Sequence, residues 1–309
     1  MSADPSFLKL LLSGASGMLG SSLRQTLDAR NAEVVQLVRR GPPSADQLTW
    51  DPMSSASIPD TQPLEGLTAA IHLSGASVAA HRWTAAYKRE IWQSRVESTR
   101  TLATVLATLN RPPKALLVAS ATGYYGDRGD ELLDECSSSG KGFLADTCCE
   151  WEAAAQPALN AGIRVIHLRF GVVLGPGGAL AKMLPVFRLG LGGRLGSGRQ
   201  WMSWISLADV VAAILFAVDT PDLSGPLNLT APNPVTNAEF TQTLGGAVHR
   251  PTIFPAPAFA LRLAFGAMAD EALLASARVI PGRLTAAGFQ FAQPTLSAAL
   301  TAALKPGRW

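Results

Sequence analysis

Two short stretches of this chain carry residue types whose spacing could do chemistry. Near its beginning stands Ser13-Gly14-Ala15-Ser16-Gly17-Met18-Leu19-Gly20, and in its middle Ser120-Ala121-Thr122-Gly123-Tyr124-Tyr125-Gly126. The first follows an apolar run, Phe7 to Leu12, broken only by Lys9. Strand, glycine-rich turn and a helix opening near Met18 form an order that can cradle a pyrophosphate. Gly14 lets the turn tighten, Gly17 lets backbone approach the phosphates, and Gly20 lets the helix pack on the strand. Unpaired N–H groups and the positive dipole end of the helix would then hold the anion. A bare strand-to-helix turn is the plainer alternative.

The second stretch follows another apolar run, so its hydroxyls and phenols belong at a strand's C-terminal end, where open α/β sheets bind ligands. Ser120 or Thr122 could bind a developing alkoxide. Tyr124 or Tyr125 could pass a proton if a cation lowered its pKa from about 10. The alternative is a glycine turn with packed tyrosines.

Other residues bear on what the turn would hold. The second strand ends in Arg39 and Arg40, with no carboxylate to read ribose hydroxyls. A guanidinium there suits a 2′-phosphate, which favours NADP(H) over NAD(H); the alternative is a pair of solvated arginines. Leu73-Ser74-Gly75 ends a further strand in small residues that would let a cofactor lie across it. His72, inside that apolar strand, reads as a packed core residue without a chemical role. Glu90, Ser94 and Arg95 share a helical segment, with Glu90 and Ser94 on one face and Arg95 close by.

The elements that must position these residues alternate. Strand-like runs at Leu8–Leu12, Glu33–Val38, Thr68–Leu73, Ala115–Ser120 and Val165–Leu168 (continuing to Leu174) are separated by helical patterns. Those patterns cover Met18–Arg30, Thr84–Leu109 and Phe143–Ala161. Repeated βα units predict an α/β fold, a Rossmann-like doubly wound parallel sheet with right-handed crossovers. After Gly175 the texture changes. A glycine-rich loop or hairpin, Gly190 to Gly198, precedes helices at Ser206–Val218, Asn237–Leu244 and Ala258–Ala277 and a last amphipathic segment, Thr295–Leu304. The expected division is a cofactor domain of residues 1–175 plus about 203–228. A smaller C-terminal α+β substrate lobe would take residues 176–202 and 229–309, closing as a lid over the sheet's C-terminal edge.

Bulk properties exclude several classes. A net charge of +3 with dispersed basic residues gives nucleic-acid binding little support. Three cysteines without a CxxC spacing suggest neither a metal site nor a disulfide framework, which fits a reducing cytoplasm. The N-terminal residues do not read as a signal peptide, and the apolar stretch Ala256 to Ala269 is too short to span a bilayer. A small-molecule substrate is the expected partner, with no membrane and no nucleic acid.

Taken together these motifs resemble the extended branch of the short-chain dehydrogenase/reductase superfamily. Within it they are similar to an atypical epimerase-like group, NAD-dependent epimerase/dehydratase with an added DUF1731-type C-terminal domain. The resemblance runs almost end to end: Gly14–Gly20, Arg39, Leu73-Ser74-Gly75, Arg82-Trp83-Thr84, Ser94-Arg95, Ser120–Gly126, Trp151-Glu152 and Arg169–Gly175 carry its first half. Gly192–Gly198 with Gln200, Ser203-Trp204-Ile205, Asn228–Pro234, Arg278–Pro281 and Gly288–Phe291 carry the rest. It implies NADP(H) contacts from Gly14 to Gly20, Arg39, Leu73, Ser74, Gly75, Glu90, Arg95 and Val173, and, by analogy, a homodimer.

One departure matters. Ordinary members carry a Tyr-x-x-x-Lys pair on the helix after the fifth strand, whose ammonium lowers the phenol's pKa and orients the nicotinamide ribose. Here that helix reads Phe143-Leu144-Ala145-Asp146-Thr147-Cys148-Cys149-Glu150-Trp151-Glu152, with Cys148 about where the Lys would fall. Ala121 stands where the usual Ser would, between Ser120 and Thr122. Two functions remain open on the sequence. One is an NADP(H)-dependent oxidoreductase or epimerase acting on a polar small molecule, a nucleotide-linked sugar being one candidate, with Arg188, Arg194 and Arg199 either meeting an anionic group or serving equally well as surface solubilisers. The other is an NADP(H) sensor that has abandoned catalysis, with Tyr124, Tyr125 or Glu152 the available substitutes in the first case.

Overall fold

Leu10, Leu11 and Leu12 are successive residues of one strand and all three are completely buried, so helices must cover that strand on both faces. The computed structural model, which describes residues 8–39, 44–54, 58 and 60–305, shows this arrangement. In chain order the first strands are β1 (Lys9–Ser13), β2 (Glu33–Val38), β3 (Gln47–Thr49), β4 (Ala69–His72) and β5 (Ala115–Ala121). They are followed by β6 (Leu132–Leu133), β7 (Arg164–Phe170), β8 (Val172–Leu174), β9 (Trp201–Met202) and β10 (Trp204–Ser206). The last are β11 (Gly225–Leu229), β12 (Val235–Thr236) and β13 (Arg278–Val279). Seven of them form one parallel sheet in the order β11-β7-β5-β4-β1-β2-β3. The winding reverses between β1 and β4, which opens a crevice at the carboxyl edge of the sheet.

The helices are α1 (Met18–Ala29), α2 (Ala85–Ala107), α3 (Phe143–Ala153), α4 (Gln156–Asn160) and α5 (Gly178–Arg188). Then come α6 (Leu207–Asp219), α7 (Asn237–Ala247), α8 (Ala258–Phe265), α9 (Gly282–Ala286) and α10 (Leu296–Ala303). Leu23 and Leu27 of α1 and Val210 and Ile214 of α6 fill one face of the sheet. Val96, Leu102 and Leu106 of α2, with Trp151 and Ala158, fill the other. A third cluster joins α5, α7 and α10 through Leu184, Phe187, Phe240, Leu244 and Leu300.

Several boundaries differ from those the sequence predicts, each for a local reason. The strand expected to run from Val165 to Leu174 breaks at Gly171, where an added Cβ would lie 2.6 Å from the Ser203 carbonyl oxygen. Beyond that glycine β8 leaves the large sheet and pairs with β10. The helix expected over Phe143–Ala161 is two, α3 and α4, with Pro157 at the start of the second. The helix expected over Ala258–Ala277 stops at Gly266, whose φ of +62° ends α8. Helix α5 is an element beyond those the sequence pattern predicts.

Candidate active site

The glycine turn is built by contacts that only glycine permits. Gly14 has φ +75°, and a Cβ there would stand 2.9 Å from the Leu73 carbonyl carbon. A Cβ on Gly20 would lie 2.2 Å from the Gly14 oxygen, so this residue sets how closely α1 sits on β1. Gly17 is different. Its added Cβ would meet only the Gly14 oxygen, at 3.4 Å, and the residue is exposed at the N-cap of α1. No side chain caps that helix and its first turn holds no acid, so its leading amides face the crevice without a partner from the chain's own side chains.

Behind the turn a chain of hydrogen bonds fixes the loop after β4. Ser98 Oγ donates to the Ser94 carbonyl (2.7 Å), which leaves it to accept from His72 Nε2 at 3.1 Å. His72 Nδ1 must then accept from Ser13 Oγ at 2.6 Å. Ser13 Oγ in turn accepts from the Leu73 amide and the Ser74 hydroxyl, at 3.2 and 3.1 Å. Burial holds the fully enclosed His72 at about 4, so it is the neutral imidazole that completes the chain. It is a structural residue, as its apolar strand suggests.

The centre of the site is a row across three strands. Register places Ser120 of β5 beside Arg169 of β7, and Arg169 beside Asn228 of β11. Glu152, near the end of α3, reaches into this row. Ser120 Oγ donates to Glu152 Oε1 at 2.7 Å, and Arg169 forks onto both carboxylate oxygens, Nε and Nη2 each at 2.8 Å. The guanidinium is only 3% exposed. Its burial works against charge, but the hydrogen bonds and ion pair with Glu152 outweigh that and raise its pKa. Nη1 of Arg169 donates to the Tyr125 hydroxyl, which donates to Asn228 Oδ1 at 2.8 Å. The plane of the Tyr124 ring lies under the same guanidinium, 3.5 Å from its centroid.

These contacts correct one sequence expectation. Tyr125 is completely buried, its hydroxyl is spent within the row, and burial pushes its pKa up to about 12. A neighbouring cation does not bring it into the working range, and it cannot shuttle protons to a ligand. Tyr124 is half-buried against Arg169 and does not line the cleft.

A cleft of about 1180 Å³ runs from the glycine turn across the carboxyl edge to the C-terminal segments. Gly14, Gly17, Met18, Leu19 and Gly20 line one end, and Leu73, Ser74, Gly75, Arg95, Ser120 and Thr122 line its middle. Ala15, Ser16 and Val173 do not reach it, nor does Glu90, which is exposed on α2. Arg39 is an exposed cation directly after β2; Arg40 lies outside the described residues. Arg95 braces the loop after β4, donating to the carbonyls of Ala76 (2.9 Å) and Ile91 (3.0 Å). Arg188, Arg194 and Arg199, expected to meet an anion, are not among the lining residues.

Helix α3 presents Leu144, Thr147, Cys148 and Trp151 to the cleft, the i, i+3, i+4, i+7 face of one helix. Leu144 and Cys148 hold the spacing of the missing Tyr and Lys. Cys148 is buried, and that burial pushes its thiol up to about 12, so it supplies no thiolate. One turn further along, Glu152 supplies the site's carboxylate. In the sequence Glu152 stands out only as a substitute proton carrier, and Arg169 only within the Arg169–Gly175 signature. The available signal is a charged residue, Arg169, inside a strand of otherwise mostly apolar residues, Val165 to Phe170, which must find a partner.

A family model described as the NAD dependent epimerase/dehydratase family matches residues 10–229. The chain belongs to that family. A second model, a domain of unknown function (DUF1731), matches residues 256–303. Relatives of this kind resemble the chain over nearly all of its own length. An epimerase family protein of Mycobacterium tuberculosis is 47% identical over 298 residues, covering 96% of this chain and 98% of that protein. The crystal structure of the human epimerase family protein SDR39U1 with NADPH superposes with a TM-score of 0.88 at 36% identity, covering 96% of this chain and 99% of the other. A structure named as the nucleoside-diphosphate sugar epimerase of Corynebacterium glutamicum is 35% identical with a TM-score of 0.78. It covers 97% of this chain and 58% of that one.

Proposed function

We propose that this family member is an NADP(H)-dependent oxidoreductase of the extended short-chain dehydrogenase/reductase type, acting on a carbonyl or carbinol of a small molecule. On this reading residues 1–175 with about 203–228 hold the cofactor, and 176–202 with 229–309 hold the substrate. The observation that carries it is the Ser120–Glu152 hydrogen bond at 2.7 Å, because Ser120 also lines the cleft and so joins a proton acceptor to the place where a ligand would lie.

The residues present fit a dinucleotide. The uncapped N-terminus of α1 offers amides to a pyrophosphate, and the open approach at Gly17 leaves room for it. Arg39 would take a 2′-phosphate, consistent with the NADPH named for the human relative. When bound, NADP(H) would supply or accept a hydride. The protein's own residues manage the proton. Ser120 can turn its hydroxyl from Glu152 to a substrate oxygen, and the carboxylate can take the proton back in the opposite direction. Arg169 holds both oxygens of Glu152 in place for this, and Thr122 lies close enough along the same turn to line the same cleft. A second reading, an NADP(H) sensor without catalysis, is favoured by Leu144 and Cys148 standing where a Tyr/Lys pair would be.

NADPH oxidation by the purified protein with a panel of carbonyl compounds separates the two. The enzyme reading expects turnover that falls at least about 100-fold in Ser120→Ala and Glu152→Gln while NADPH affinity holds. A sensor expects no turnover in any of the three proteins. For the cofactor, Arg39→Ala should weaken NADPH far more than NADH, and equal losses would remove its phosphate-reading role.

A further inference from the structure

The part of the cleft beyond Ser120 is walled mainly by apolar side chains, with Ser203, Asn237 and Thr241 among them, and this limits the class of molecule it takes. Phe187, Phe240, Leu261 and Met268 form its depth and are nearly buried. At the mouth Val186, Leu191, Phe254 and Phe265 are held 47%, 55%, 54% and 39% exposed, an unfavourable display unless something covers them. The charged side chains that reach the cleft are mostly engaged by the chain itself. Lys182 donates to the Ala79 carbonyl, Arg95 to those of Ile91 and Ala76, and Glu271 accepts the Leu144 amide at 2.8 Å. Arg82, an exposed residue, also lines the cleft. A nucleotide-linked sugar would carry a diphosphate and a ring of hydroxyls into this space, and such groups are costly to bury without matched partners.

We infer that the substrate is an uncharged, predominantly apolar carbonyl compound, or the corresponding alcohol. Its oxygen would sit at Ser120 and its apolar body would run along Met183 and Phe240 towards Leu191 and Phe254. This rests on the redox reading above. In the reductive direction the carbonyl carbon would gain a hydride from NADPH as the C=O π bond opens, and loss of that hydride with its two electrons would leave NADP⁺. The resulting alkoxide oxygen would gain the Ser120 hydroxyl proton, and the Ser120 oxygen would be reprotonated from solvent, so that the sum is one hydride and one proton added across C=O. A flat partner surface would explain the exposed rim but not why apolar walls continue inward to a reactive hydroxyl. Small apolar ligands in concave sites of this size do explain it.

The test uses the full chain loaded with NADPH and the neutral dye Nile red. The inference expects saturable dye binding, displaced by benzylacetone and not by UDP-glucose. Leu191→Asp and Phe254→Asp change exposed positions, so folding should survive. Each should weaken the dye by at least about ten-fold, while NADPH affinity stays within about two-fold. Displacement by UDP-glucose but not by the ketone would overturn it, as would dye binding unchanged in both variants or no saturable binding at all. If the dye site vanishes when a concentration-dependent dimer dissociates, the rim belongs to a second copy and the inference also falls. Failure of the unaltered protein to bind NADPH would instead sink the redox reading, and the same dye titrations would still decide whether the cleft is apolar.

Discussion

At the scale of single residues, protonation states are set by what surrounds each group, and His72 shows this most directly. Its ring must accept from Ser13 and donate to Ser98, so only the neutral form completes the chain that reaches Ser74 at the floor of the crevice. Burial lowers its pKa to about 4 from the 6.5 of an unfolded chain. Between those values the unfolded protein binds a proton that the folded protein refuses, so stability rises with pH there and is lost as pH falls. From pH 7 to pH 5 the loss attributable to His72 should be about 2 kcal/mol. Urea unfolding at the two pH values, in the unaltered protein and in His72→Gln, measures it as the difference between two pH effects. His167, whose pKa burial also lowers, is present in both proteins and cancels. An equal pH effect in both would show that His72 is not held neutral.

At the scale of elements, the three glycines of the first turn do separate jobs that a sequence pattern cannot distinguish. Gly20→Ala would drive a Cβ into the Gly14 oxygen and should lower the melting temperature by several degrees, because α1 must move off β1. Gly17→Ala meets nothing closer than 3.4 Å, so the fold should tolerate it. Isothermal titration should nevertheless show NADPH binding at least about ten-fold weaker, since the new methyl group points where the pyrophosphate would lie. Unchanged affinity in Gly17→Ala would remove the dinucleotide from this helix end. The parallel sheet was legible because β1, β2, β4 and β5 are nearly continuous apolar runs, each preceding or following a helical period. Helix α5 was not, because Gly177, Gly178 and Pro185 disguise its period. The tyrosines stand out by their chemistry, yet the row the strands bring together is Ser120, Arg169 and Asn228. Those residues become neighbours only through strand register, which no local spacing encodes.

At the scale of the whole molecule, the C-terminal segments are stitched back onto the sheet that carries the cofactor crevice. Asn228 spends its side chain on the Ile280 carbonyl and on Tyr125, and its amide on Glu135, which also receives the Arg283 amide. A second stitch is Asp209 in the first turn of α6. Its Oδ1 accepts the Ala292 amide at 2.7 Å, and its Oδ2 accepts the Gln293 amide at 3.0 Å and the Ser206 hydroxyl at 2.9 Å. Asp209 is 1% exposed, so its charge is stabilised by these donors rather than by bulk water. Phe289 also holds this segment, packing edge-on against Phe216 and Phe291 with its ring centroid 5.4 and 4.8 Å from theirs. The two contributions separate by mutation. Asp209→Ala removes the acceptor of the Ala292 and Gln293 amides while leaving the aromatic contacts in place, and should cost about 2 kcal/mol in urea unfolding. Hydrogen exchange should quicken first at Ala292 and Gln293, ahead of the sheet amides of β1 and β4. A loss below about 1 kcal/mol, with exchange unchanged at those two amides, would mean that apolar packing alone fixes the segment and that the carboxylate is incidental.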